Sequence, residues 1–177
     1  TPVQHAALMA GVHPMQPSIR QGANNSTALA QLHAALQYYP LHRANNHGQD
    51  WWEDTKSQVL PLLSLPDQLM LEQVFAQFLQ AQLHYPDRPH GLIHGDLFRD
   101  NTLFEGDTLS GLLDFSELSA DELLLDIAIC MNDFCSNWPE VSVDQLKAQV
   151  FFKAYHQVRP MTKDEQQALP AYLSMAA

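Results

Sequence analysis

The chain has 177 residues, 46% of them apolar and 16% charged, which is enough to bury the core of one domain. Twenty Asp and Glu against nine Lys and Arg leave a formal charge of -11, so no nucleic-acid partner and no anionic membrane surface is expected, since both need a basic face. A small-molecule substrate is compatible with this balance.

No run of about 18 apolar residues occurs, and no basic segment precedes an apolar one, so neither a membrane span nor a signal peptide is expected. Cys130 and Cys135 sit five residues apart in an apolar stretch. On a helix they point to different faces, as reduced core residues of a cytoplasmic protein do. The chain begins at Thr1 and not at Met, as in a processed product or a fragment.

Residues 1–24 contain Pro2, Pro14 and Pro17 with weak periodicity and read as a connector or hinge remnant, with residues 25–177 forming a single lobe. Asn25-Ser26 offers an N-cap to a helix carrying Leu29, Leu32 and Leu36 on one face and closed by Pro40. After a polar loop over 41–50, Trp51 and Trp52 open a second helix that stops near Pro61. A third spans Asp67 to His84 between Pro66 and Pro86, with Leu71, Val74, Phe75, Phe78 and Leu79 at helical spacing.

The texture changes after Pro89. Gly91 to His94 is too short for a helix and reads as a strand; Asn101 to Glu105 and Leu109 to Phe115 read as two more, joined at Gly106-Asp107. Helices resume at about Asp121–Ser136, Val143–Val158 and Lys163–Met175. The expected fold class is α+β, mostly helical, with a small β-hairpin in its middle.

The chemistry is concentrated in His94-Gly95-Asp96-Leu97-Phe98-Arg99-Asp100-Asn101, followed by Asp114-Phe115. Phosphoryl transfer from ATP needs a carboxylate to orient and deprotonate the attacking hydroxyl, and hard oxygen ligands to hold Mg²⁺ against the phosphates. An Asp and an Asn five residues apart, on a loop between two strands, face one cleft. An Asp at the end of the next hairpin strand returns to it from the other side. Asp96, Asn101 and Asp114 fit this pattern, although Asp and Asn also favour turns for purely structural reasons.

The His-Gly-Asp-x-x-x-x-Asn run with its following Asp-Phe resembles the catalytic loop of the aminoglycoside phosphotransferase and choline kinase superfamily. More narrowly, the chain is similar to the homoserine kinase branch, through Leu112-Leu113-Asp114-Phe115, Leu125-Asp126-Ile127-Ala128-Ile129, Asn132-Asp133-Phe134-Cys135 and Gly48-Gln49-Asp50-Trp51-Trp52, over about Leu29 to Trp138. Ser116-Glu117 follows the Asp-Phe pair where that branch tends to carry an aromatic.

The resemblance implies a protein-kinase-like C-terminal lobe whose hairpin carries the metal site. It implies that Asp96 is the catalytic base, that Asn101 and Asp114 are Mg²⁺ ligands, that Asp126 bonds to the catalytic-loop backbone, and that His94 supports loop geometry. Arg99, Asn132 and Asp133 are possible substrate contacts, against the plainer readings of a surface pair for Arg99 and a solvated helix face for the other two. Trp51 and Trp52 are expected to pack the core.

The resemblance also implies ATP as co-substrate and L-homoserine as acceptor, in threonine biosynthesis. An aminoglycoside, choline or a sugar-like alcohol is the alternative acceptor, and a non-catalytic binding remnant the alternative class. The family's N-terminal lobe brings a glycine-rich cover and a strand lysine. Residues 1–90 hold one lysine, Lys56, in a helical segment, and the seven glycines do not cluster. The chain is therefore expected to be the C-terminal lobe alone, isolated from the N-terminal lobe against which it packs and inactive or weak without it.

Overall fold

A computed structural model describes residues 10–40, 42–137 and 142–177. Trp138 and residues 1–9 of the connector lie outside the described residues. In chain order the elements are α1 (Ile19–Leu36), α2 (Gln49–Val59), α3 (Leu65–His84), β1 (His90–Ile93), β2 (Thr102–Glu105), β3 (Thr108–Leu112), β4 (Ser119–Glu122), α4 (Leu123–Phe134), β5 (Ser136–Asn137), β6 (Ser142–Val143), α5 (Gln145–Val158) and α6 (Lys163–Met175). No helix among the described residues is long and apolar enough to cross a membrane.

α1 starts earlier than the sequence suggests, at a Ser18–Gln21 capping box and not at Asn25-Ser26. The Ser18 hydroxyl accepts from the Gln21 amide at 3.1 Å, and the Gln21 side chain accepts from the Ser18 amide at 2.9 Å. Two of the helix's orphan donors are thereby satisfied. Asn25 and Ser26 lie in the helix interior, fully buried against the core. Asn25 Nδ2 donates to Cys130 Sγ (2.8 Å) and the Ser26 hydroxyl to the Phe151 carbonyl (2.6 Å). The 24/25 boundary thus falls inside a helix.

The stretch before α1 also pairs with the rest of the molecule. Val12 and Phe104 exchange two backbone hydrogen bonds at 3.0 Å, which covers the free edge of β2.

β2 and β3 form the expected antiparallel hairpin, turning through Gly106 in the left-handed region. β4 is a strand that the sequence does not announce. Ser119-Ala120-Asp121-Glu122 is polar and lacks β-branched residues, yet it pairs antiparallel with β1 from Ile93↔Ser119 to His90↔Glu122. Packing overrides propensity here: Glu122 accepts from Arg88 Nε and Nη2, both at 2.9 Å, which ties β4 to the loop after α3. The fourth helix therefore begins at Leu123, two residues after the expected Asp121.

The core is continuous. α1 lies on α5, α3 and α4 lie on α6, and β1 lies across α1 and α4. Leu29, Phe78, Ile93, Phe104, Ile127, Phe134, Phe151 and Tyr172 all join it. Both cysteines are free and buried. Trp52 packs edge-on against Phe78 with ring centroids 5.4 Å apart, whereas Trp51 is about half exposed and, among the described aromatic rings, meets only His47.

Candidate active site

The loop between β1 and β2 is anchored from within by Leu97, whose side chain is fully buried. Burying a leucine contributes about 1.5–3 kcal/mol. From outside it is gripped by α4. Asp126 and Asp133 are seven residues apart, so they lie on one face of that helix about 10 Å apart along its axis.

Asp126 takes the start of the loop, accepting from the His94 amide at 2.7 Å and the Gly95 amide at 3.0 Å. Asp133 takes the end. It accepts from the Arg99 amide at 2.6 Å and from Arg99 Nε and Nη2 at 2.9 and 2.7 Å. Arg99 Nη1 is spent on the Met15 carbonyl at 2.9 Å. Asn132 donates to the Leu173 carbonyl at 2.8 Å, tying α4 to α6. Arg99, Asn132 and Asp133 are thus all engaged within the protein.

Gly95 sits at φ +80°, and a Cβ there would lie 3.0 Å from the Glu117 carbonyl oxygen. Only glycine meets both conditions without strain. Gly95→Ala is expected to cost about 1–3 kcal/mol, read as a lowered midpoint in urea denaturation; an unchanged midpoint would refute the assignment.

His94 bridges the two halves of the site. Its Nε2 bonds to the Leu113 carbonyl at 2.9 Å, so Nε2 carries the proton and Nδ1 accepts from the Asp96 amide at 3.3 Å. One ring thereby fixes the backbone of Asp96 and the residue just before Asp114. Asn101 makes the parallel connection, its carbonyl accepting from the Leu113 amide at 2.9 Å. The Asn101 carboxamide donates to the Asp96 carbonyl at 2.7 Å and to Asp96 Oδ2 at 2.9 Å. With its nitrogen committed to Asp96, Asn101 Oδ1 is the carboxamide atom that could hold a cation.

Asp114 is exposed and stands at φ +53°, alone among the described non-glycine residues in the left-handed region. This reversal ends β3 at Leu112, short of the expected Phe115, and turns the carboxylate out of the strand. Asp is among the few residue types that tolerate the conformation. Ser116 supports it, its amide donating to Asp114 Oδ1 at 3.1 Å.

The two carboxyl groups are pushed in opposite directions. Burial raises Asp96 above its ordinary value; the bond from Asn101 and the nearby His94 oppose this, and the charges of Asp100 and Asp114 add to it. The Ser116 side chain and amide hold Asp114 below its ordinary value. Asp96 is the better proton acceptor of the two, and Asp114 the better permanent anion.

The Asp114 carboxylate and the Asn101 carboxamide oxygen are hard donors of the kind that suit Mg²⁺, which uses one or two carboxylates and completes its shell with water and phosphate. No cluster of three or more His, Cys, Asp or Glu with metal-site geometry occurs among the described residues.

A cavity of about 220 Å³ opens beside Gly95, lined by Asn45, His47, Trp52, Glu117 and Ile129 among others. A larger groove of about 630 Å³ runs between α3 and α6 and contains none of the residues described above.

Against this geometry, a sequence model of the phosphotransferase enzyme family matches residues 4–161. The chain belongs to that family. Phosphotransferases similar to it include the homoserine kinase of Polaromonas naphthalenivorans, 36% identical over 91% of this chain and 52% of the relative. The homoserine kinase of Methylobacillus flagellatus is 36% identical over 99% of this chain and 54% of the relative. That of Rhodopseudomonas palustris strain BisB18 is 38% identical over 96% and 52%. The chain spans about half the length of these curated relatives.

Among solved structures, the amicoumacin kinase hAmiN in complex with AMP-PNP, Ca²⁺ and Ami superposes with a TM-score of 0.65 at 17% identity, over 94% of this chain and 52% of that one. The GDP complex of aminoglycoside 2'-phosphotransferase-IIIa gives 0.61 at 18% identity, over 89% and 53%. The α+β, mostly helical fold expected from the sequence is therefore the fold of these kinases.

Three residues of the site escape a reading by motif. Ser116 is marked only by its place two residues after Asp114, the spacing of an Asx turn. Arg43, whose guanidinium donates to the Ser116 carbonyl, carries no signal at all. His33 lies four residues after Leu29, on the buried face of α1, and its polarity at an apolar position is the signal.

Proposed function

We propose that this phosphotransferase transfers the γ-phosphoryl group of ATP to the side-chain hydroxyl of L-homoserine, in the cytoplasm. The observation that carries the reaction type is the joining of Asp96, Asn101 and Asp114 through one imidazole and one carboxamide. The similarity to homoserine kinases supports the choice of acceptor.

Asp96 accepts the acceptor's proton and aligns its oxygen. Asn101 and Asp114 hold Mg²⁺, which supplies charge neutralisation for the phosphates when bound. Asn101 performs a second task, fixing the Asp96 carboxylate with its own N–H. Glu117 lines the cavity with its carboxylate 3.3 Å from His47 Nδ1, placed to receive an ammonium group. The remaining contacts to the nucleotide come from an N-terminal lobe packed against this one. Lys56 takes no part in them: its ammonium lies over the Phe75 ring, 4.6 Å from the centroid.

The test is ADP release by the polypeptide expressed from its natural start codon, with homoserine, choline and an aminoglycoside panel as acceptors. Homoserine-dependent turnover is expected. Turnover with another acceptor alone would reassign the substrate, and turnover with none would mark a binding remnant.

A further inference from the structure

Behind the loop, Asp126 has a third partner that the reaction does not use. His33 of α1 bonds to Asp126 Oδ2 through Nε2 at 2.9 Å, and both side chains are fully buried. The opposite ring nitrogen, Nδ1, lies 2.6 Å from the Tyr155 hydroxyl on α5. That hydroxyl accepts from Arg159 Nε at 2.6 Å, and Arg159 in turn pairs with Glu165 at the start of α6.

A proton inventory fixes the direction of every bond. Burial pushes the Tyr155 phenol up, despite the opposing charge of Arg159, so it keeps its proton. Arg159 can only donate, so the phenol proton goes to His33 Nδ1. His33 then carries its own proton on Nε2, pointing at Asp126. The chain reads Glu165–Arg159–Tyr155–His33–Asp126, each bond oriented toward a carboxylate at one end or the other, and it ends on the amides of His94 and Gly95.

We infer that His33 and Tyr155 are positioning residues that hold the Asp126 carboxylate, and through it the backbone before Asp96, in one orientation. Oδ2 of Asp126 receives two donors and Oδ1 one. Without His33 the carboxylate keeps only the loop amides and is free to rotate about its terminal bond, taking those amides with it. A displacement of about 1 Å in a reacting group costs up to about 100-fold in rate. The coupling also ties α5 and the start of α6 to the geometry of Asp96.

As a statement about catalysis this rests on the proposed phosphotransfer, so the experiment has one readout that does not. In the natural polypeptide, amide hydrogen exchange at residues 93–97 and in α4 is measured for His33→Leu, His33→Gln and Tyr155→Phe, together with kcat and KM for homoserine and ATP. His33→Leu is expected to speed exchange at His94 and Gly95 at least tenfold while the middle of α4 exchanges as before. Its kcat per folded molecule falls about 10- to 100-fold, with both KM values held within about twofold.

Glutamine returns an N–H near the position of Nε2 and restores most of kcat. Tyr155→Phe gives a smaller change of the same kind, and carries the test with His33→Gln if the leucine variant does not fold. Unchanged exchange at His94 and Gly95, or faster exchange spread evenly through α4, would overturn the inference. A wild-type protein without homoserine turnover would remove the functional reading alone, and the exchange data would still decide the positioning role.

Discussion

Asp126→Asn is expected to lower stability by about 2–4 kcal/mol, although it changes one atom. Three N–H groups converge on this carboxylate, from His94, Gly95 and His33. A carboxamide has one oxygen to offer. If that oxygen takes the Oδ2 position, the new NH₂ meets the Gly95 amide; if it takes Oδ1, the NH₂ meets both His94 and His33. Either way a buried donor faces a donor, and an unsatisfied buried group costs about 1–3 kcal/mol before the lost charge is counted. Against a typical total of about 5–15 kcal/mol this is a large share. Urea denaturation monitored by circular dichroism measures it, and a loss below about 1 kcal/mol would contradict the account.

The same carboxylate sets a pH dependence. Burial alone would raise Asp126, but the hydrogen bond from His33 and those from the amides of Gly95 and His94 outweigh it and hold the group below its ordinary value. A depressed folded value means the unfolded chain binds the proton more readily. The stabilisation is therefore complete above the unfolded carboxylate value of about 4 and is lost as pH falls through the lower folded value. Asp126→Asn should flatten this acid limb of the stability profile.

Much of the site is legible in the sequence because its chemistry is local. The His94–Asn101 run encodes its own turn, glycine and donors, and Asp114-Phe115 marks the end of the next strand. Asp126 stands out as an acid in the apolar run Leu123–Ile129. What is not legible is pairing across distance. β4 becomes a strand because β1 presents a ladder to it and Arg88 awaits Glu122, neither of which shows in four polar residues. The start of α1 is obscured because Asn25 and Ser26 resemble a cap, while their real partners, Cys130 and Phe151, are more than a hundred residues away. Arg99 and Asp133 read separately as candidates for substrate, yet they close on each other. The heptad spacing of Asp126 and Asp133 is visible in the sequence; that both face the same loop becomes visible only when α4 is in place.

The division of labour proposed for the two carboxylates makes the sharpest functional prediction. Asp96→Asn is nearly isosteric, and its carboxamide oxygen can still accept from Asn101 Nδ2, so the loop should keep its shape. What disappears is the proton acceptor, which is raised in affinity by burial and by its acidic neighbours. General base catalysis contributes about 10²- to 10⁴-fold, and turnover should fall by that amount while Mg²⁺-nucleotide affinity stays within about twofold. Asp114→Asn should behave in the opposite sense. It removes a negative charge that faces solvent and cation, weakening Mg²⁺-nucleotide binding at least about tenfold, or about 1.4 kcal/mol, with the loss relieved by raising Mg²⁺. Nucleotide titration at several Mg²⁺ concentrations, paired with ADP release, separates the two variants. Equal losses of binding in both would mean that Asp96 serves the metal as much as Asp114 does, and the assignment of the base would then have to move.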